Sequence, residues 1–416
     1  MHASTKTPDY VLGLIWLLHT LIVLLLARIN PNHYTTIDSQ YYLESATNIL
    51  SGNGCSMRYD HFPTWNSTFP MGYPVAISIV SLLTGTNVLV ASKLVNTMAC
   101  GLWLILLNRW FGTSKAVFVS GILFLGPFLK LWAHTWSEPL FLTILFCWTY
   151  QLYIIITRLK TSKKRLLAVF LLGLLLISVR YAGIFIIPLA LLICINLLQK
   201  KDYSKAVLSL WLAIGWTTYF FVYLFLNKYR SGTWYGGQRL NGNFFITENA
   251  ASFLKGLLNE LLLWDINPDV AGNTVIILSV LQIAAGLFFF YHVVKKLRPL
   301  AAHFWLVAVC YLLFLFAARI FSPFDEPGYR LLAPCSFLIL IGCCISVESD
   351  YLSKKVKYLL FAIILFSWLD LMPRRNTEIK LLQIFSAFDR FHPNQMSRYL
   401  SGTTIELPTY RTNDKD

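Results

Sequence analysis

The sequence has little charge. Only 13% of its 416 residues are Asp, Glu, Lys or Arg, against about a quarter in a soluble domain, so a water-facing surface of ordinary extent cannot be covered. A soluble α/β enzyme, a disordered chain and a disulfide scaffold are excluded together. Acidic residues are scarcer still, 20 against 35 Lys+Arg, for a formal net charge of +15. A basic surplus often points to nucleic acid, but there the cations sit in a polar chain, whereas here they punctuate long apolar runs. No nucleic-acid partner is expected. Cysteines with metal or disulfide spacing are also missing: Cys100, Cys147, Cys194, Cys310, Cys335, Cys343 and Cys344 lie inside apolar runs, where Cys behaves as a small hydrophobe. No CxxC or Cys/His cluster reads as a zinc site. The first apolar run lacks a small-residue cleavage site and reads as a retained span, not a signal peptide.

What is present is hydrophobicity, 56% of the residues. Apolar runs fall at about 10–29, 87–107, 116–133, 138–157, 165–178, 181–198, 206–226, 273–294, 300–318, 330–347 and 356–371, which predicts an all-α integral membrane protein of about eleven spans. A twelfth run, Gly72 to Leu83, has only about a dozen residues, too few for a core of about 30 Å at 1.5 Å per residue. It reads as a half-helix that turns back at Thr84-Gly85-Thr86-Asn87. The positive-inside rule supports that choice. With the N-terminus inside, every basic cluster between spans lands on one side, seventeen basic residues against four acidic ones including the N-terminal segment. One membrane domain then covers 1–371, with outside loops 30–86 and 227–272, and a short outside tail, 372–416, carries one amphipathic helix through Leu382, Phe385, Phe388 and Phe391. The outside receives nearly all the remaining polar chemistry.

In loop 30–86, Tyr42, Ala46, Ile49 and Leu50 follow helical spacing from Asp38, and Gly52 stops the run. An amphipathic helix at the membrane surface is expected. On helix logic alone Asp38 is its N-cap. Glu138 and Pro139 open a span, where an acid and a proline suit the first turn. Arg180 and Arg330 stand at outer span boundaries, where arginine is costly and tends to mark function, although snorkelling to head-groups explains them too. Lys93, near the outer end of a span, and His134 are further candidates. In loop 227–272, Trp234, Tyr235 and Arg239 flank glycines, as a sugar-stacking surface, a lid or an aromatic interface belt would. The stretch from Phe253 to Trp264 is expected to lie on the surface.

The motifs occur in a fixed order: Asp38, Tyr41, Tyr42, Ala46, Ile49, Leu50 and Gly52; Pro70-Met71-Gly72-Tyr73-Pro74; Ser137-Glu138-Pro139-Leu140-Phe141; Val179-Arg180-Tyr181-Ala182-Gly183; and Tyr329-Arg330-Leu331-Leu332-Ala333-Pro334. In this the sequence resembles the GT-C superfamily of polyprenyl-phosphate-sugar-dependent glycosyltransferases, which includes protein O-mannosyltransferases and lipid A aminoarabinose transferases, over most of residues 1–350. The resemblance implies transfer of a sugar from a polyprenyl-phosphate donor on the outer face, with inversion, in a bacterial inner membrane with the C-terminus periplasmic. It makes Asp38 the general base or ion-linked carboxylate and Glu138 the second acid. It also makes Tyr41 and Tyr42 substrate-loop candidates and Arg180 and Arg330 candidates for the donor phosphate; His134, as a ligand, an acid/base or a plain boundary residue, and Lys93, as a third phosphate cation, are candidates from their position alone. A divalent cation (Mg, Mn or Zn) on Asp38 and Glu138 is part of this expectation, although no metal-ligand spacing exists. The partners would be the lipid donor, membrane lipids and an acceptor that the sequence does not specify. A lipid-linked glycan polymerase or ligase would share the outer-face cations. A transporter or flippase would instead need pseudo-symmetric halves, and no internal repeat is found.

Overall fold

The computed structural model describes residues 10–59, 62–158, 162–236, 245–261, 291, 297–321, 324, 327–347 and 354–371. The predicted tail helix, Arg239, Trp264 and the apolar run 273–294 apart from Tyr291 lie outside the described residues. The chain is built from helices α1 (Tyr10–Ile29), α2 (Ile37–Leu50), α3 (Gly72–Thr84), α4 (Val88–Phe111), α5 (Thr113–Ser120), α6 (Gly126–Ala133), α7 (Glu138–Thr157) and α8 (Lys163–Val179). There follow α9 (Ile186–Gln199), α10 (Tyr203–Ser231), α11 (Ile246–Leu261), α12 (Pro299–Phe321), α13 (Tyr329–Ser346) and α14 (Lys354–Ser367). A two-stranded antiparallel hairpin, β1 (Ser56–Tyr59) and β2 (Phe62–Trp65), interrupts the first loop, and the helical period gave no sign of it.

Among the described residues seven helices are long and apolar enough to cross a membrane, or eight if one bent pair counts as a span. The count of eleven is not confirmed among the described residues, where three of the expected runs fall short of a full straight span. The run at 116–133 is not one helix. It breaks into Thr113–Phe124 and Gly126–Ala133, inclined at 76°, because Leu125 is extended and Pro127 in the first turn of α6 has no N–H to continue the helix. Gly126 lies so close to the chain end of α14 that a Cβ would stand 2.0 Å from the Ser367 carbonyl oxygen, and its N–H donates to Ser367 Oγ at 2.8 Å. Helices α8 and α14 have only 17 and 14 residues.

Helix α1 shows how the bundle meets lipid. Leu12, His19, Val23 and Ala27 are buried on one face, while Leu14, Leu17, Leu18, Leu21 and Leu25 stay exposed, an apolar outer surface of the kind that lipid covers. Inside, α7 packs on α8, α9 on α10, and α12 on α13. A second, smaller cluster joins α2, α3 and α4 through Tyr42, Ala46, Tyr73, Ile77, Ala91 and Val95. The apolar face of α2 thus lies against protein. Helix α11 likewise packs on α12 and α13, with Phe253 buried against Phe316.

The half-helix is present as α3. Gly85, left-handed at φ 67°, ends it, and the Asn87 side chain accepts from Val90 N–H to start α4. At its other end Gly72 touches the end of α8, so that a Cβ would come within 2.6 Å of the Ser178 carbonyl oxygen. Gly72→Ala is expected to cost about 1–3 kcal/mol, because backbone on both sides cannot yield. A thermal-unfolding midpoint in detergent equal to that of the wild type would refute this.

The turns between helices meet in two groups. Lys115 Nζ donates to the carbonyls of Cys344 (3.3 Å) and Val347, and Lys205 Nζ to that of Ile156 (2.9 Å), so basic turns meet basic turns. The segments assigned to the opposite side meet each other: Thr135 N–H donates to Tyr34 O (3.1 Å), and Trp65 Nε1 to Asn227 Oδ1 (2.9 Å).

Candidate active site

Four charged side chains from four segments converge where these loops meet. Helix α2 begins at Ile37, and its N-cap is Thr36, whose backbone N–H donates to Ser39 Oγ at 3.0 Å. The cap expected of Asp38 is therefore filled two residues earlier, which leaves the Asp38 carboxylate free of backbone duty. It pairs with Arg330 Nη1, a residue 292 positions away in the first turn of α13. Arg330 Nε donates at 2.5 Å to Glu138 Oε1, and Arg180 forms an ion pair with the same oxygen. Glu138 and Pro139 do occupy the first turn of α7, but the acid does more than complement a helix dipole: it balances two guanidiniums.

Exposure separates the two carboxylates. The side chain of Glu138 is fully buried and that of Asp38 is 30% exposed, with Arg180 at 11% and Arg330 at 22%. Asp38 is open to its surroundings; Glu138 is an internal counter-charge, and its Oε2 has no hydrogen-bond partner among the described residues. The expected metal does not fit the two acids as they stand. Both are engaged by Arg330, positive and negative charges already balance, and among the described residues no group of three or more His, Cys, Asp or Glu comes together.

The other candidates surround this centre. Tyr42 is buried, with its hydroxyl 3.2 Å from Ser137 Oγ. Burial, reinforced by the nearby Glu138 charge, pushes its phenol up to about 12, so it remains protonated. Tyr41 lies against the Phe69 ring, centroids 6.1 Å apart. Lys93 is buried beneath the loop before α7, and its ammonium donates to Ala133 O (2.6 Å) and Thr135 Oγ1 (2.9 Å). Asn96, one turn on, donates to Trp132 O and His134 O and accepts from Tyr73 of the Pro70–Pro74 motif (3.2 Å). That face of α4 therefore shapes the loop that delivers Glu138. His134 Nδ1 is 2.8 Å from Lys130 O, and burial lowers its imidazole to about 3. Trp234 and Tyr235 are exposed beyond α10.

Sequence reasoning missed two contributors. The Trp136 indole lies 4.3 Å from the Arg330 guanidinium; its position two residues before Glu138 was the available signal. Asn227, buried near the end of α10, donates to Tyr181 OH (2.9 Å) and Trp234 O (3.0 Å). Tyr181 OH donates in turn to Ser67 O (2.8 Å). This ties the residue after Arg180 to the first loop, and nothing in the local sequence announces it. Asn66 serves the same junction: it is buried and its amide donates to Ser45 Oγ (2.9 Å).

No protein-family model matches the sequence, and no curated protein does. Among solved structures the chain is similar to ArnT from Cupriavidus metallidurans in the apo state, with a TM-score of 0.55 at 15% identity over 84% of this chain and 61% of that one. ArnT from the same organism bound to undecaprenyl phosphate gives a TM-score of 0.51 at 15% identity over 85% and 63%. The chain thus spans less than two thirds of the ArnT structures it matches. At this identity the likeness is one of architecture, and by it the chain has the multi-pass membrane GT-C fold.

Proposed function

We propose that this protein is a membrane glycosyltransferase that moves a sugar from a polyprenyl-phosphate donor to an acceptor hydroxyl on the outer, periplasmic face of a bacterial inner membrane, with inversion. One observation carries the reading: Arg330 and Arg180 meet Asp38 and Glu138 at the loop end of the bundle. The likeness to an ArnT structure bound to undecaprenyl phosphate supports it.

In the proposed reaction the acceptor oxygen attacks the anomeric carbon, and Asp38, the accessible carboxylate, takes its proton. The bond from that carbon to the lipid phosphate oxygen breaks, and the bond to the acceptor oxygen forms on the opposite face. Arg180 and Arg330 hold the departing phosphate, whose charge suits a planar fork. Glu138 fixes both guanidiniums. Trp234 and Tyr235 offer apolar faces to sugar or lipid at the rim. No step runs through a metal, since the two acids are already neutralised.

Binding of undecaprenyl phosphate to the purified protein tests the reading. Arg180→Gln is expected to weaken it about 10- to 100-fold, the worth of hydrogen bonds to a charged group of roughly 1.5–3 kcal/mol. Unchanged affinity in a folded variant would count against the phosphate site.

A further inference from the structure

We propose that Trp136 is a positioning residue that holds the Arg330 guanidinium in one plane for the lipid phosphate; this rests on the reading of Arg330 as a phosphate contact. Arg330 hangs on a flexible stem. The two carboxylates fix its N–H edge, on Asp38 and Glu138, but two edge contacts leave the guanidinium free to tilt about the line joining them. A flat aromatic face removes that freedom. The Trp136 ring supplies it at 4.3 Å, within the range of a cation–π contact.

The indole is itself held on every side. Its Nε1 donates to Thr36 Oγ1 at 2.9 Å, the N-cap residue of the helix that carries Asp38. The His134 ring stacks on it with centroids 3.7 Å apart and planes at 13°. Two groups that close to one indole cannot share a face, so His134 and Arg330 lie on opposite sides. His134 is fixed by Lys130 O, and its ring meets that of Tyr34 edge-on at 4.7 Å. Burial keeps that imidazole neutral; an imidazolium there would compete with Arg330 for the same π density. A single side chain thus touches the cap of the Asp38 helix, the segment that delivers Glu138, and the cation between them. Only tryptophan combines an N–H donor with a face this wide. With both faces taken and 5% of its surface exposed, it is no platform for a sugar ring.

The test is a double-mutant cycle on the full-length protein in detergent, using Trp136→Leu, Trp136→Phe, Arg330→Gln and the Trp136→Leu/Arg330→Gln pair. Affinity for undecaprenyl phosphate and the melting midpoint are both measured. Trp136→Leu is expected to weaken binding about tenfold, the size of a partly desolvated cation–π contact, whereas Trp136→Phe keeps affinity within about threefold. In the Arg330→Gln background Trp136→Leu should add less than about twofold. An equal loss in both backgrounds would show that the indole supports the fold at large and would overturn the proposal. If Arg330→Gln leaves affinity unchanged, it is the phosphate reading that fails. The positioning role then stands or falls on the midpoints, upheld by less-than-additive losses and overturned by additive ones.

Discussion

Asp38→Asn is expected to reduce sugar transfer about 10²- to 10⁴-fold, the range a positioned general base supplies, while folded protein accumulates in the membrane as for the wild type. Both halves of the prediction come from geometry. The helix that carries Asp38 is capped by Thr36 and Ser39, so α2 does not depend on the carboxylate, and the asparagine oxygen can still accept from Arg330. What the amide cannot do is take a proton. Asp38 is also the acid with an exposed side chain, 30% against none for Glu138, and a base must reach its proton within hydrogen-bond distance. The measurement is the initial transfer rate from a polyprenyl-phosphate donor, normalised to protein that elutes as a single folded species. A rate within threefold of wild type would remove Asp38 from the reaction and leave it only a partner of Arg330.

Glu138→Ala should act on the other axis, stability, and by a large amount. The carboxylate is fully buried and faces two guanidiniums. Removing one partner of a buried ion pair leaves charge with no counterpart in a medium that solvates it poorly, which costs about 3–5 kcal/mol. Arg330 retains Asp38, so the burden falls on Arg180, which has the Phe141 ring beside it but no second carboxylate in contact among the described residues. Thermal unfolding in detergent should show a large drop for Glu138→Ala and a smaller one for Glu138→Gln, which keeps shape and an acceptor oxygen. The pair Glu138→Ala/Arg180→Leu should recover part of the loss, because the stranded charge goes with its partner. A Glu138→Ala protein that melts within about 0.5 kcal/mol of wild type, the scatter of surface substitutions, would mean that the acid is not the counter-charge its burial indicates.

The comparison of sequence with structure divides along contact range. The half-helix α3 and its turn were legible because Gly85 and Asn87 act through their own backbone neighbours. Asp38, Glu138, Arg180 and Arg330 were legible as candidates because polar groups are rare in so apolar a chain. Their mutual arrangement was not, since Arg330 reaches Asp38 across 292 positions. The cap at Thr36 was misread because Thr and Asp both suit that place, and only backbone angles decide between them. The break at Gly126-Pro127 was written in the sequence, yet the unbroken apolarity of 116–133 outweighed it. Lys93 illustrates the reverse: a cation in an apolar helix suggests an anionic ligand, but its donors go to Ala133 and Thr135, carbonyl and hydroxyl groups that no local pattern marks.

The span of 292 positions between Asp38 and Arg330 also sets an order of events during biosynthesis. At about 5–20 residues per second, the ribosome completes Arg330 on the order of 15–60 s after Asp38, and both acids and Arg180 are in the membrane before their common cation exists. Until α13 is made, the two acids have only Arg180 of these cations to oppose them. The insertion of α13 is the moment at which the nascent chain acquires its charge balance.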